Sequence, residues 1–110
     1  MKKHEIALRY AELAVRILDA EYEARYPHNM GNKQECYRFA SIVSTAYHNA
    51  AVEYEFNMDF SNSLIMYQKA VRVSKINLGH NHPLTETFEN NFKKVKDRIK
   101  KNPSILQQQS

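Results

Sequence analysis

Apolar residues recur at helical spacing in four segments of the chain, which cover about 5–24, 32–56, 59–77 and 83–101. In chain order, the apolar positions are Ile6, Tyr10, Leu13, Ile17 and Leu18, then Phe39, Val43, Tyr47, Ala50 and Tyr54, then Leu64, Tyr67, Val71 and Ile76, and finally Leu84, Phe88, Phe92, Val95 and Ile99. Only two Gly and three Pro leave little room for loops or hairpin turns. The pattern predicts an all-α chain of about four helices, with antiparallel neighbours wherever a short connection joins them.

Several residues at the segment ends fit helix boundaries. Asp59 is a natural N-cap for the third segment, and Asn32, followed by Glu35, fits the start of the second. Gly79 fits a helix C-terminus, and Pro83 fits the first turn of the next helix. These residues predict short connections before and after the third segment.

Small and aromatic residues are interleaved in the second and third segments. The small ones are Ala46, Ala50, Ala51, Ser63 and Ala70, and the aromatic ones are Tyr47, Tyr54, Phe60 and Tyr67. Helices that carry small residues approach closely, and aromatic side chains of the neighbouring helix fill the adjacent space. Together with the linker residues Leu78, Gly79, His82 and Pro83, the pattern resembles a tetratricopeptide repeat of the long-linker variety found in kinesin light chains.

A second copy of this repeat begins after the linker, where Asn90-Asn91-Phe92 is similar to the Asn-Asn-Leu of the family. Asn49 and Asn91 are separated by 42 positions, which is the length of the long-linker repeat. The chain departs from the family at Met58, because a Gly usually stands before the turn Asp.

The resemblance implies a short right-handed α-solenoid in which antiparallel helical hairpins are stacked. We predict a single tetratricopeptide-like domain over residues 1–102, with about two repeats and a polar capping helix at 83–101. The first segment is interpreted as the second helix of an earlier, degenerate repeat. Residues 103–110, which end in Gln-Gln-Gln-Ser, are predicted to be a disordered tail.

The formal net charge of +4 comes from one helix. Residues 93–101 carry six basic side chains against Asp97, a net charge of +5, so the rest of the chain carries −1. Stacked repeats leave an apolar face at each end of the array, and a polar terminal helix covers it. The basic run is therefore interpreted as the solvated face of a cap. The alternative, that it binds acidic polymers such as nucleic acid or tubulin tails, stays open.

The sequence contains no pattern typical of a catalytic site, since it has no Gly-rich phosphate loop, GxSxG or HExxH motif. Cys36 stands beside aromatic residues on a helix, where a small buried residue is a commoner interpretation than a nucleophile. His28, His80 and His82 are weighed as metal ligands. A structural zinc site needs three or four ligands, however, and His82 precedes Pro83 at the expected start of a helix, where its side chain can bond exposed backbone groups. We therefore predict no enzymatic activity, no metal site and no cofactor.

The expected location follows from the cysteine content and from hydropathy. A single cysteine fits a reducing compartment, and there is no run of about 18 apolar residues that would span a membrane. The N-terminal residues mix charges into every turn, unlike the apolar centre of a signal peptide. We predict a cytoplasmic protein, cytoskeleton-associated in one interpretation, with no membrane partner and no small-molecule substrate.

The resemblance also implies a concave groove, lined by the first helices of successive hairpins, that binds a peptide or a partner helix. Carried over to this chain, the groove residues are Thr45, His48, Asn49, Val52, Phe56, Asn90, Asn91, Lys94 and Arg98. Asn49 and Asn91 are the strongest candidates for holding a peptide backbone, because an amide side chain both donates and accepts hydrogen bonds. The competing interpretation is that both amides only cap or bridge the helix packing.

These expectations favour a non-catalytic protein–protein interaction or assembly module. One alternative is a structural subunit of a larger assembly, such as a cytoskeletal or ciliary one. A second alternative, from another class, is a binder of acidic polymers that uses the basic fourth segment, although a nucleic-acid ligand is disfavoured. Since fewer than three clean repeats are present, a homo-oligomer or a larger complex is also expected to complete the burial of apolar surface.

Overall fold

The computed structural model describes residues 2–25 and 33–107, and within them the side chains of residues 5–21, 24 and 37–105. The helices are, in chain order, α1 Lys2–Arg25, α2 Lys33–Phe56, α3 Phe60–Leu78, α4 Pro83–Lys101 and the single-turn α5 Ser104–Gln107. No strand occurs in these described ranges. The prediction of an all-α chain with four long helices is confirmed.

Each long helix packs on the next one along the chain, and the pairing of α2 with α3 is the most extensive. The short turn between α2 and α3 makes these two helices antiparallel. The side chains of α4 also reach α2, since the ring of Phe88 stacks on His48. Helix α2 is therefore the central element, in contact with α1, α3 and α4.

Two apolar clusters form the interior. The first contains Ala40, Val43, Tyr47, Ala70, Val73 and Phe88, with Val15 and Leu18 of α1 packed against it. The second contains Ala51, Phe60, Tyr67, Val95, Ile99 and Ile105. Burying a large apolar side chain such as Phe60, which is fully inaccessible to solvent, stabilises the fold by roughly 1.5–3 kcal/mol. The clusters join α2, α3 and α4 along their length, while α1 adds to the first and α5 to the second.

The close contact of α2 with α3 depends on two small residues. Ala51 and Ser63 are both fully buried, and the Ser63 hydroxyl donates a hydrogen bond to the Ala51 carbonyl at 2.9 Å. A side chain larger than Ser at position 63 would keep the helices apart, whereas Ser fits and its polar atom has a partner. The interleaving of small and aromatic residues in the sequence therefore corresponds to close helix packing.

Met58, in the α2–α3 turn, adopts a backbone conformation that glycine adopts most readily. Its φ is 66°, in the left-handed region that costs an L-residue about 1–2 kcal/mol. The turn is closed by the Asp59 N–H, which donates to the Tyr54 carbonyl at 2.8 Å. The chain thus makes the tight turn with a strained methionine.

We expect Met58→Gly to raise the free energy of unfolding by about 1 kcal/mol, because it removes this strain while the greater freedom of Gly in the unfolded chain offsets part of the gain. Little packing is lost, since the Met58 side chain is exposed. Urea denaturation measures the change. Met58→Ala keeps a Cβ atom and serves as the control. If the Gly variant is no more stable than the Ala variant, the backbone at Met58 is not strained.

Three of the four predicted boundary residues, Asp59, Gly79 and Pro83, stand at helix ends, and His82 caps α4 in addition. A carboxylate oxygen of Asp59 accepts from the backbone N–H three residues on at 3.3 Å, and Nδ1 of His82 accepts from the N–H two residues on at 3.1 Å. Gly79 ends α3 with φ 96°, and Pro83 is the first residue of α4. Asn32, the cap expected for α2, lies outside the described residues.

The C-terminal segment differs from the prediction of a disordered tail over 103–110. Ser104–Gln107 form α5, and Ile105 is buried against the second cluster. The cause is local, because the Asn102 carbonyl accepts from the Ile105 N–H at 3.1 Å and this turn carries an apolar side chain back onto Ile99. Residues 108–110 lie outside the described part.

Some apolar residues of α1 and α3 do not face the interior. Ile76 of α3 is exposed, because the buried face of that helix is centred on Tyr67, Ala70 and Val73 instead. In α1, the residues that pack on the core are Val15 and Leu18. The larger apolar stripe of this helix is exposed and consists of Ile6, Tyr10, Leu13 and Ile17.

Candidate recognition groove

A stripe of five residues runs along the outer face of α2, at spacings of three and four positions. We call it the outer stripe, and its members are Ile42, Thr45, Asn49, Val52 and Phe56. All except Thr45 are exposed, and three of the exposed four are apolar. On the helix, this stripe lies opposite the side that packs on α3. It is an exposed surface of the central helix.

Helix α1 is attached to one flank of α2 by two tyrosine–carboxylate hydrogen bonds. The hydroxyl of Tyr47 donates to Asp19, and the hydroxyl of Tyr54 donates to Oε2 of Glu12 at 2.5 Å. Burial, followed by the bond with the Glu12 carboxylate, raises the pKa of Tyr54 well above its usual range. The Tyr54 hydroxyl therefore stays protonated and remains a donor at neutral pH.

Between α1 and α2 lies an open groove of about 560 Å³. Its lining consists mainly of small or apolar residues, namely Ala7, Tyr10, Ala11, Ala14, Ala46, Asn49, Val52 and Glu53. Asn49 and Val52 belong to the outer stripe, so groove and stripe form one continuous surface. The four alanines allow a ligand to approach the backbones of both helices, and Asn49 and Glu53 supply polar groups at its edge.

His48 faces α4 and lies in the interface of three helices. Its ring stacks on Phe88 with a centroid distance of 4.7 Å and meets Tyr67 edge-on at 5.5 Å. The side-chain amide of Asn91 lies 2.8 Å from Nε2 of His48 and donates to it. Burial lowers the pKa of His48, although the Glu55 carboxylate opposes the shift. His48 and Asn91, both predicted groove residues, thus bind each other across the α2–α4 contact.

We expect acid to weaken the α2–α4 contact through His48. Because its pKa is lowered in the folded state, the unfolded chain binds the proton more tightly, and stability falls as pH drops below about 6.5. Thermal unfolding at about pH 7.5 and about pH 5.5 measures the loss. His48→Gln, which cannot titrate, should lose less stability over the same interval. If both proteins lose the same stability, groups other than His48 cause the pH dependence.

Glu55 connects α2 to both α3 and α4. Its Oε1 accepts from the Tyr67 hydroxyl at 2.8 Å, and its Oε2 accepts from the Arg98 guanidinium at 3.1 Å. Burial and the bond with Glu55 raise the pKa of Tyr67. Arg98, a predicted groove residue, is therefore engaged in an ion pair with Glu55, while the neighbouring Lys94 is exposed.

A second groove, of about 720 Å³, lies between α3 and α4. Its lining residues are Val71, Lys75, Glu89, Asn90, Phe92, Lys93, Lys96, Asp97 and Lys100. Lys75 forms an ion pair with Glu89 at 3.0 Å, and the Lys96 ammonium lies 4.3 Å from the centre of the Phe92 ring. Asn90, predicted to lie beside Asn91 in the recognition groove, belongs to this basic groove instead.

The groups weighed for metal binding or nucleophilic chemistry are described only in part. His82 uses Nδ1 to cap α4. His28 and the Cys36 side chain lie outside the described residues. In the described part of the chain, no three His, Cys, Asp or Glu side chains are arranged to hold a metal ion.

The contribution of α1 to the groove is the feature that the sequence did not predict. The predicted residues came from α2 and α4, but the wall that faces Asn49 and Val52 is supplied by Ala7, Tyr10 and Ala14. The signal that was available lies in spacing: Asp19 and Glu12 are seven residues apart, and so are their partners Tyr47 and Tyr54. Equal spacing allows both bonds to form on one pair of helices, and their reversed order, Asp19 with Tyr47 and Glu12 with Tyr54, is that of antiparallel helices.

The fold and this surface define an all-helical protein with an apolar, alanine-lined groove. Comparison with family models, with curated proteins and with solved structures finds no match to this chain. Within the ranges that the structure describes, no helix is both long and apolar enough to cross a membrane.

Proposed function

We propose that this protein is a non-catalytic protein-interaction module that binds a peptide segment or a partner helix in the groove between α1 and α2. The single observation that carries the proposal is the continuity of this groove with the exposed outer stripe of α2. Contiguous apolar surface with a few polar groups at its edge is typical of a protein–protein contact.

The chemistry of the lining indicates the kind of ligand. Alanines on both walls leave space for apolar ligand side chains, and Val52 adds an apolar contact on α2. The amide of Asn49 offers one acceptor and two donors, which suits a peptide backbone or a polar side chain of the partner. An amphipathic ligand that places its apolar face in the groove fits these properties.

A short tetratricopeptide-like solenoid is the architecture that we propose for this module. Three features support it: the close contact at Ala51 and Ser63, the left-handed turn at Met58, and the linker in which His82 caps α4. In this architecture α1 is the second helix of an incomplete repeat, and the lysine-rich face of α4 is the polar end of the array.

The test is to select ligands from a random peptide library and measure their binding to substituted proteins. We expect Asn49→Ala to weaken binding by about 1–3 kcal/mol, or roughly 5- to 150-fold in Kd, mainly through faster dissociation. Asn90→Ala is the matched control, because Asn90 is equally an exposed helical amide but lies on the other groove. The melting temperature of both variants should stay near that of wild type. Equal affinity of all three proteins would refute the groove assignment.

The basic groove between α3 and α4 favours a second candidate function, the binding of an acidic polymer. Its floor is apolar at Val71 and Phe92, and three lysines of α4 surround it. If this candidate is correct, Lys93→Glu combined with Lys96→Glu abolishes binding of an acidic polymer, while Asn49→Ala has no effect. The affinity should then fall steeply as salt rises.

A further inference from the structure

The basic groove between α3 and α4 combines an apolar floor with unpaired positive charges at its edge. Val71 and Phe92 form the floor, and Lys93, Lys96 and Lys100 of α4 line one side. Among the residues that the structure describes, Lys93 and Lys100 form no ion pair, and both are exposed. The groove therefore offers two cations to a partner without breaking an existing bond.

The other charges of the lining indicate how the negative charge of the partner is distributed. The lining contains four lysines and two carboxylates, a net charge of +2. Lys75 and Glu89 neutralise each other at 3.0 Å, but the exposed Asp97 lies between Lys93 and Lys100 in sequence and in the same groove. A continuous row of phosphates would bring a phosphate close to the Asp97 carboxylate, which repels it. Separate carboxylates with neutral groups between them avoid this repulsion.

Phe92 is not placed to stack on the bases of a nucleic acid. The Lys96 ammonium lies over its ring, 4.3 Å from the centre, and the side chain also packs against the second cluster. Single-stranded nucleic acids are bound through aromatic rings on which the bases stack. The groove therefore favours an acidic protein segment over a nucleic acid.

The spacing of the two unpaired lysines indicates the conformation of that segment. Lys93 and Lys100 are seven positions apart, which is two turns of α4 or about 10.5 Å along its axis. Two carboxylates seven positions apart on a partner helix have the same separation and lie on the same face. In an extended chain this distance corresponds to about three residues, and side chains three positions apart point to opposite faces.

We propose that the basic groove binds an acidic amphipathic helix of a partner protein. The apolar face of this helix lies on Val71 and Phe92, and its flanking carboxylates pair with Lys93 and Lys100. This inference rests on the second candidate function, the binding of an acidic polymer, and is independent of the groove between α1 and α2.

The first test uses a fluorescent synthetic peptide of about 14 residues, or four helical turns, with leucines along one face and glutamates on both flanks. We expect the full chain to bind it at least roughly tenfold more tightly than a scrambled peptide of the same composition, because only the ordered peptide buries its leucines together. Circular dichroism should show that the peptide becomes helical on binding.

The competitors in this test are the scrambled peptide and an oligodeoxythymidine. If either binds as tightly as the helical peptide, the groove is a general site for acidic polymers, and the inference is wrong while the second candidate function stands. If the protein binds none of the three, both are wrong.

The second test locates the binding site on α4. Lys93→Gln combined with Lys100→Gln should raise the Kd of the helical peptide roughly fivefold or more, because two ion pairs are lost. Lys94→Gln combined with Lys101→Gln is the matched control, since it removes the same charge at the same spacing from exposed positions outside the groove. Equal weakening by both pairs would overturn the proposal, because net charge alone would then explain binding. Asn49→Ala should bind the peptide as wild type does, which separates this result from the α1–α2 groove.

Discussion

Replacing Ala51 with Leu is expected to destabilise the fold by roughly 1–3 kcal/mol, because the added atoms have no space between α2 and α3. Ala51 is fully buried, and its carbonyl accepts the hydrogen bond from the fully buried Ser63 hydroxyl. A leucine here forces the two helices apart, which lengthens that bond and loosens the packing around Phe60 in the same cluster. The change is measured as a lower midpoint of urea denaturation.

The matched control places a leucine at Gln68, which is exposed in the middle of α3. Gln68→Leu also introduces a leucine, but on an exposed face of α3 where it meets no packed neighbour. The midpoint of urea denaturation should therefore change little. A second variant, Ala51→Gly, tests whether any substitution at position 51 is as costly as the larger leucine. It should destabilise the fold by about 1 kcal/mol, because glycine has a lower helix propensity than alanine. If Ala51→Leu is as stable as wild type, the close α2–α3 contact is wrong.

The double substitution Tyr47→Phe with Tyr54→Phe is expected to weaken the docking of α1 on α2. Each hydroxyl donates to a carboxylate, and a hydrogen bond to a charged group contributes roughly 1.5–3 kcal/mol. The carboxylates are partly exposed and regain water when the bond is lost, so each loss should lie near the lower end of this range. Both rings remain, so the apolar packing of the first cluster is preserved.

Hydrogen exchange gives the sharpest measurement, because only the amides of α1 should lose protection while those of α3 and α4 keep it. Tyr37→Phe removes a hydroxyl from an exposed tyrosine of α2 and serves as the control. Since the raised pKa of Tyr54 means that the folded state holds its proton more tightly, the wild type should also lose stability as pH rises above about 10. Uniform loss of protection over the whole chain would argue against a local role for these bonds.

Much of the fold follows from local sequence rules. The apolar periodicity and the residues Asp59, Gly79 and Pro83 predict the long helices and their connections, because these signals depend only on neighbours along the chain. The face on which α1 packs does not follow from periodicity, since the helix has apolar residues on two sides. That choice depends on bonds between distant residues, from Tyr47 to Asp19 and from Tyr54 to Glu12.

The candidate site was predicted only in part, for a related reason. Asn49 and Val52 line the groove between α1 and α2, whereas the resemblance placed them in a groove shared with residues of α4. His48 is their neighbour in sequence, but one position along a helix is a rotation of about 100°, which turns its ring to Phe88 of α4. Asn90 and Asn91 diverge in the same way, to the basic groove and to His48 respectively. Their roles depend on which helices flank them.

The two tyrosine–carboxylate bonds also fix the position of α1 along its own axis. Their seven-residue separation is the same on both helices, so they form together and only at one offset. Sliding α1 by a single helical turn, about 5.4 Å, breaks both bonds at once and brings no other tyrosine of α2 to either carboxylate at the same spacing. The width and shape of the groove are therefore set before a ligand arrives. If the groove binds a ligand as we propose, the ligand would be selected by its fit to this opening, and little binding free energy would be spent on ordering α1.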